Sequence, residues 1–118
     1  MTSKHPLEFG VTGFHPVFQG ATIAQSSEAL GFDLQSFPEN HSQVPDAFGE
    51  MRDAARATTR LKLIAGPFNF VTRNPGVVAS GILPIQMISE GRAICGVASG
   101  DSAVAAVGQE PQAIPALE

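Results

Sequence analysis

Short apolar runs begin near residues 8, 32, 61 and 93, about 25 to 30 residues apart, and each gives way to glycine, proline or polar residues before a stretch of helical period. Residues 8–12, 32–37, 61–65 and 93–97 read as strands, the third broken by Gly66 and Pro67. Between them, residues 21–30 place Ile23, Ser27 and Leu30 on one helical face, with Gly31 positioned to end the helix. A second helix opens at Asp46 or the residue before it. Phe48, Met51 and Ala55 share its apolar face, while Glu50, Arg52, Asp53 and Arg56 cover a face expected to be solvated. Asn74 and Pro75 form an N-cap followed by proline at the first helical position, starting a third helix that runs to about Ser89. Pro84 lies inside it and is expected to kink it or end its first half, since an interior proline costs about 3 kcal/mol.

Strand-then-helix units of this length predict parallel strands joined by right-handed crossovers, which gathers every strand-to-helix loop on one edge of the sheet. Those loops carry His15, His41, Asn69, Arg73, Ser99 and Asp101, while the loops leading into the strands hold little that is polar. Polar function is therefore expected at the carboxyl ends of the strands. The junction within residues 91–108 is the most specific of these. An apolar strand stops at Ser99-Gly100-Asp101-Ser102 and an alanine-rich helix follows. Gly100 would let backbone approach a ligand, and Asp101 or Ser102 would cap the helix, leaving its first N–H groups for an anion or a polar ring edge. A plain loop with a capping aspartate is the alternative.

Composition narrows the function classes. With 43% apolar and 15% charged residues in 118, the chain reads as one globular domain over residues 1–110, followed by a poorly ordered tail at 111–118. A net charge of −4 with seven basic residues argues against nucleic acid. No apolar run reaches membrane-spanning length and no signal-peptide pattern opens the chain, so a soluble cytoplasmic protein is expected. Cys95, the only cysteine, sits within an apolar strand and reads as a buried reduced thiol. His5, His15 and His41 are too dispersed to suggest a metal site.

Taken in order, four pieces carry a resemblance. They are Leu30-Gly31-Phe32-Asp33 with the polar loop bearing His41; Thr59-Arg60-Leu61-Lys62-Leu63 leading to Thr72-Arg73-Asn74-Pro75; Gly91-Arg92; and Gly96-Val97-Ala98-Ser99-Gly100-Asp101-Ser102-Ala103. Together they cover nearly all of residues 8–110 and resemble the luciferase-like monooxygenase family, flavin- or coenzyme F420-dependent oxidoreductases with a TIM-barrel fold. The last piece is most similar to the branch containing F420-dependent reductases. The resemblance implies that Gly66 and Pro67 occupy a bulge whose cis peptide props the cofactor's central ring, a bond that proline makes less costly. It also implies that His41 lies near the reactive edge of the ring, that Ser99 and Gly100 contact FMN or F420, and that Asp101 handles a proton. Asn69 and Ser102 stand in the same loops and join these as cofactor-binding candidates. Turn, loop and cap roles are the alternatives for each.

The same family has eight strands in about 250 residues, and four are legible here. The fold class expected is therefore α/β, a (β/α)4 half of a TIM barrel, with raw sheet edges and an apolar inner face that favour completion by self-association into a homo-oligomer. Two functions compete. One is an oxidoreductase acting on a small organic substrate; the other is a non-catalytic truncated paralogue serving as an assembly or interaction module.

Overall fold

In the computed structural model, which describes residues 6–13 and 18–113, strand and helix alternate along the described residues. The order is β1 (Gly10–Thr12), α1 (Gly20–Ala29), β2 (Leu34–Phe37), α2 (Ala47–Ala57), β3 (Lys62–Phe68), α3 (Pro75–Ile88), β4 (Ala93–Val97) and α4 (Ser102–Ala105). The strands form one parallel sheet in the order β1-β2-β3-β4. Gly10 is in register with Leu34, Leu34 with Lys62, and Leu63 with Ala93.

Strand alternation decides which face the helices cover. Gln35, Phe37, Leu63 and Ala65 are at most 1% exposed, and they pack with Phe48, Met51, Ala54, Val78 and Ile85 from the helices. The alternate positions Leu34, Ser36, Lys62 and Ile64 remain half-buried on the other face. That inner face is not wholly apolar, for Lys62 Nζ pairs with Glu8 at 2.5 Å.

Local chemistry fixes the helix starts. Asp46 Oδ2 accepts the Gly49 N–H at 2.9 Å to cap α2, and Asn74 Oδ1 accepts the Gly76 N–H at 2.8 Å to cap α3. Gly81 of α3 lets the Phe48 ring approach closely, since an added Cβ would stand 2.5 Å from Phe48 Cε2. The same ring stacks on Phe68 with centroids 4.7 Å apart. This contact joins α2, α3 and the end of β3 beneath the loops that carry the polar residues.

Several sequence expectations are corrected. β3 does not stop at Gly66 and Pro67; it runs to Phe68, because a bulge absorbs the irregularity and the ladder resumes with Phe68 opposite Val97. α3 does not end at Pro84 but continues to Ile88: the proline is exposed, as is Ser80, whose carbonyl loses its partner and stays within reach of water. The first strand is shorter than residues 8–12, and β2 starts at Leu34. On α1 the buried face is Gly20, Ala24 and Ser27, with Leu30 78% exposed. Glu50 is buried rather than solvated. Its carboxylate accepts the Gly20 N–H at 2.6 Å and the Phe18 N–H at 2.8 Å, an anion at the start of α1.

Cys95 is exposed, not buried. It shares a face with its register partner Ala65, but on the edge strand that face is followed by only one turn of helix, and Val97 is left 45% exposed beside it. The loops leading into strands are also more polar than expected, for Glu28, Arg60, Thr58 and Arg92 interlock there. From the expected tail, Gln112 donates its N–H to the Ser99 carbonyl at 3.0 Å, and residues 114–118 lie outside the described residues, as do His5 and His15. No helix among the described residues is long and apolar enough to cross a membrane.

Candidate functional site

At the carboxyl edge of the sheet, β3 bulges against β4. The Gly66–Pro67 peptide is cis, and Gly66 has φ of +96°. An added Cβ there would collide with the Phe68 amide and lie 2.9 Å from the Gly96 carbonyl, so only glycine fits the bulge. Beyond it the Ala98 N–H donates to the Phe68 carbonyl at 2.8 Å, which holds the next loop beside the bulge.

A cavity of about 240 Å³ opens here. Pro67, Asn69, Ser99, Gly100, Asp101 and Ser102 line one side of it, and Pro38, Glu39 and Asn40 from the loop after β2 line the other. Six of the eight residues expected at a site therefore meet around one concavity. Gly66 lies one residue behind Pro67 in the bulge, and His41 faces a different space. The glycine at 100 is required by the chain itself. Its φ is +86°, and the room a Cβ would take is filled by Val104 and by Asn69 Cβ at 3.1 Å. Asp101 is exposed and its side chain caps nothing, the helix start being closed by its carbonyl, which accepts from Val104 and Ala105. Ser102 Oγ instead accepts from Asn40 Nδ2 at 3.2 Å, tying the β2 loop to the β4 loop.

His41 lines a neighbouring concavity of about 170 Å³ with Glu39, Asp46 and Arg73. Arg73 links the loops around it. Its Nε contacts Glu39 Oε1 at 2.5 Å, its Nη2 contacts Asp46 Oδ1 at 2.7 Å, and its guanidinium stacks 5.1 Å over Phe48 and 5.6 Å over Phe68. Burial lifts the Glu39 carboxyl above the ordinary carboxylate range, and the hydrogen bond and charge of Arg73 offset this only in part. Burial also works against the Arg73 cation, yet its bonds to Asp46 and Glu39 outweigh that and hold its pKa above the usual value.

Behind the cavity, His41 Nε2 lies 2.9 Å from Thr72 Oγ1, and Asn69 Oδ1 accepts from both the Thr72 hydroxyl at 3.0 Å and the Thr72 amide at 2.9 Å. Three buried polar atoms of the lining residues have no partner: Asn69 Nδ2, Asn40 Oδ1 and Glu39 Oε2. Buried polar groups are almost always paired, so one donor and two acceptors left over on residues that line one cavity make it the candidate site for a polar ligand. Sequence reasoning missed Glu39, Asn40 and Thr72 as participants. They stand in polar loops where a solvated reading is the default, and their one signal was adjacency to His41 and Arg73.

The sequence pattern of the family described as "Luciferase-like monooxygenase" matches residues 11–114. A 5,10-methylenetetrahydromethanopterin reductase from Methanolobus tindarius is 35% identical over 88 residues, spanning 75% of this chain and 27% of that protein. Its counterpart from Methanopyrus kandleri is 44% identical over 83 residues, spanning 70% of this chain and 24% of that protein. The solved coenzyme F420 dependent tetrahydromethanopterin reductase of Methanopyrus kandleri superposes with a TM-score of 0.79 and 28% identity, covering 88% of this chain and 30% of that one. The oxygenating constituent of 3,6-diketocamphane monooxygenase from Pseudomonas putida, a type II Baeyer-Villiger monooxygenase solved with FMN, shares the fold at a TM-score of 0.71 and 22% identity, covering 81% of this chain and 30% of that one. The chain thus spans 24 to 30% of these proteins, and its four parallel strands with their helices match part of a luciferase-like barrel. The chain belongs to the luciferase-like monooxygenase family.

Proposed function

We propose that this chain contributes one wall of a cofactor site in an F420- or flavin-dependent oxidoreductase, with F420 the better supported of the two. The observation that carries this reading is the trio of buried, unpartnered polar atoms, Asn69 Nδ2, Asn40 Oδ1 and Glu39 Oε2, around the cavity beside the Gly66–Pro67 bulge. The pyrimidinedione edge common to both rings carries two carbonyls and one N–H, so the Asn69 donor suits a carbonyl and one of the two acceptors suits the N–H. The preference for F420 rests on the likeness to the coenzyme F420 dependent tetrahydromethanopterin reductase at 28% identity, the FMN-containing structure being a fold relation alone. When bound, the cofactor supplies two-electron hydride chemistry on a small organic substrate.

What this chain's residues do follows from their placement. Pro67 and the bulge present a rigid apolar floor, Asn69, Asn40 and Glu39 orient the ring edge, and the exposed Asp101 carboxylate at the rim holds or releases a proton at its oxygens. The cavity's 240 Å³ is below the roughly 300 to 1,000 Å³ of a complete small-molecule site, which fits a partial wall. Titration with F420 and with FMN, followed by absorbance and fluorescence quenching, tests the reading. Saturable binding of F420 supports it, and binding of neither at tens of micromolar removes it.

A second reading, an assembly module, is favoured by the bare sheet. Among the described residues β1 and β4 each have a strand on one side only, Ile94 on the inner face is 40% exposed, and Cys95 and Val97 are exposed on the other side of β4. Association of copies through these surfaces is the corresponding proposal. Light scattering that gives a folded monomer at micromolar concentration counts against it.

A further inference from the structure

We infer that Asn69 is the cavity's fixed hydrogen-bond donor, aimed at a carbonyl of the ligand, and that His41 is a positioning residue acting on it through Thr72 in the Nε2–H form. The inference rests on reading the cavity as a ligand site and adds the direction of every hydrogen bond behind it.

The chain of assignment starts at a backbone group. The Thr72 amide can only donate, and it lies 2.9 Å from Asn69 Oδ1, so the oxygen of the Asn69 side chain faces Thr72 and the Nδ2 group is turned away. The residue is 1% exposed, and Nδ2 is buried without a partner. Of the two ends of this amide, the one still without a partner is therefore the donor, on a residue that lines the cavity.

The Thr72 hydroxyl comes next. It has one proton and two neighbours, Asn69 Oδ1 at 3.0 Å and His41 Nε2 at 2.9 Å. Were the proton given to His41, two oxygens would face each other at 3.0 Å with lone pairs only. With the proton on the Asn69 side, the hydroxyl oxygen is free to accept, and His41 Nε2 must donate. A neutral ring protonated at Nε2 meets this requirement, as does the imidazolium. His41 is therefore not the base of the site through Nε2. Its position in the neighbouring concavity, with Glu39 and Arg73 and apart from the 240 Å³ cavity, agrees.

Gly100 closes the arrangement. Asn69 Cβ and Cγ would lie 3.1 and 3.2 Å from any Cβ at position 100, so the side chain is pressed against backbone and held by Thr72 on its oxygen end. A donor held this way discriminates: a ligand carbonyl is rewarded, and a second donor at the same place is left unpaired.

Nuclear magnetic resonance of the ¹⁵N-labelled 118-residue chain tests this. Long-range ¹⁵N–¹H correlation, with His41→Gln used to assign the ring among the three histidines, is expected to show His41 protonated at Nε2. A ring protonated at Nδ1 alone overturns the assignment. Addition of F420 or FMN is expected to move the Asn69 side-chain amide, and binding of either without that movement overturns the donor role. Thr72→Ser is expected to keep the affinity, while Thr72→Val and Asn69→Asp weaken it about tenfold, with the folded spectrum as the control. His41→Gln, which restores a side-chain N–H, is expected to bind more tightly than His41→Ala, and equal affinities overturn the relay. Uracil at millimolar concentration presents the imide edge without the rest of either cofactor. Movement of the Asn69 amide by uracil with no binding of F420 or FMN retires the cofactor reading and supports the donor, and no movement with any of the three overturns the donor.

Discussion

The Glu28 carboxylate, near the end of α1, accepts the backbone N–H of Leu61 at 2.7 Å. The same group takes the Arg60 N–H at 2.7 Å and the Thr59 N–H at 3.1 Å, so one side chain closes the whole turn that leads into β3. Burial alone pushes Glu28 up, but the backbone donors of Arg60, Leu61 and Thr59 reverse this and leave the carboxyl below its ordinary value of 4.5. The folded state thus binds the proton less tightly than the unfolded chain. Stability from Glu28 is full above about pH 4.5 and is lost as pH falls through the lower folded value. We expect Glu28→Gln to be less stable than the parent near neutrality and the difference to shrink in acid. Urea midpoints at pH 7 and pH 3 check this, and an unchanged gap contradicts it.

Arg92 faces the same turn from the other side. All its guanidinium donors go to uncharged groups: the carbonyls of Ala55, Thr58, Leu61 and Ser89, and the Thr58 hydroxyl, at 2.7 to 3.0 Å. Three of those carbonyls belong to the C-terminal ends of α2 and α3, where the helix dipoles favour a cation. Arg92→Met is expected to cost at least about 2 to 4 kcal/mol in denaturant unfolding, since each acceptor left unpaired costs about 1 to 3 kcal/mol where water cannot replace the guanidinium. Arg92→Lys should recover less than half, since a single ammonium cannot reach acceptors spread over the guanidinium plane.

Arg73→Met should be destabilising in a pH-dependent way. Glu39 is 4% exposed at its side chain, and without Arg73 its buried carboxylate loses its ion-pair partner. The cost is expected at about 2 to 4 kcal/mol, under the 3 to 5 of a fully buried pair because Arg73 itself is partly solvated. Glu39 already has a raised pKa, and loss of the cation raises it further. The folded state then holds the proton more tightly than the unfolded one, so stability falls as pH rises through the raised value. Adding Glu39→Gln to Arg73→Met should recover stability at pH 8 and little at pH 5. Equal recovery at both refutes the electrostatic account.

How much of this was readable beforehand depends on the range of the forces involved. The alternation of strand and helix, the parallel order, and the caps Asp46 and Asn74 follow from local periodicity and neighbouring side chains, and they match. Six site candidates meet in one cavity because parallel connections alone put the loops after β3 and β4 on the same edge. Glu50 was read as solvated because its partner, the Gly20 amide, lies 30 positions away and nothing nearby advertises it. Cys95 differs from its sequence reading for the opposite reason. An apolar run specifies a strand, but whether its outer side is covered depends on the next helix, which here is one turn long. Glu39 and Asn40 look like ordinary loop polars until the fold brings Arg73 and Ser102 against them.

Gly100 and Gly31 separate two reasons for being glycine. Both have positive φ, +86° and +90°, so alanine at either site carries the backbone penalty of about 1 to 2 kcal/mol. At Gly31 nothing lies within 4 Å of an added Cβ, so that penalty is the whole expected loss for Gly31→Ala. At Gly100 the methyl would also collide with Val104 and press on Asn69, adding about 1 to 3 kcal/mol of overpacking. The displaced group is the one that holds the cavity's donor. Gly100→Ala should therefore lose more stability than Gly31→Ala in urea unfolding and also weaken F420 or FMN binding, which Gly31→Ala leaves intact. Equal stabilities for the two variants would place the cost in backbone conformation alone and remove the packing of Gly100 on Asn69 from the account of the site.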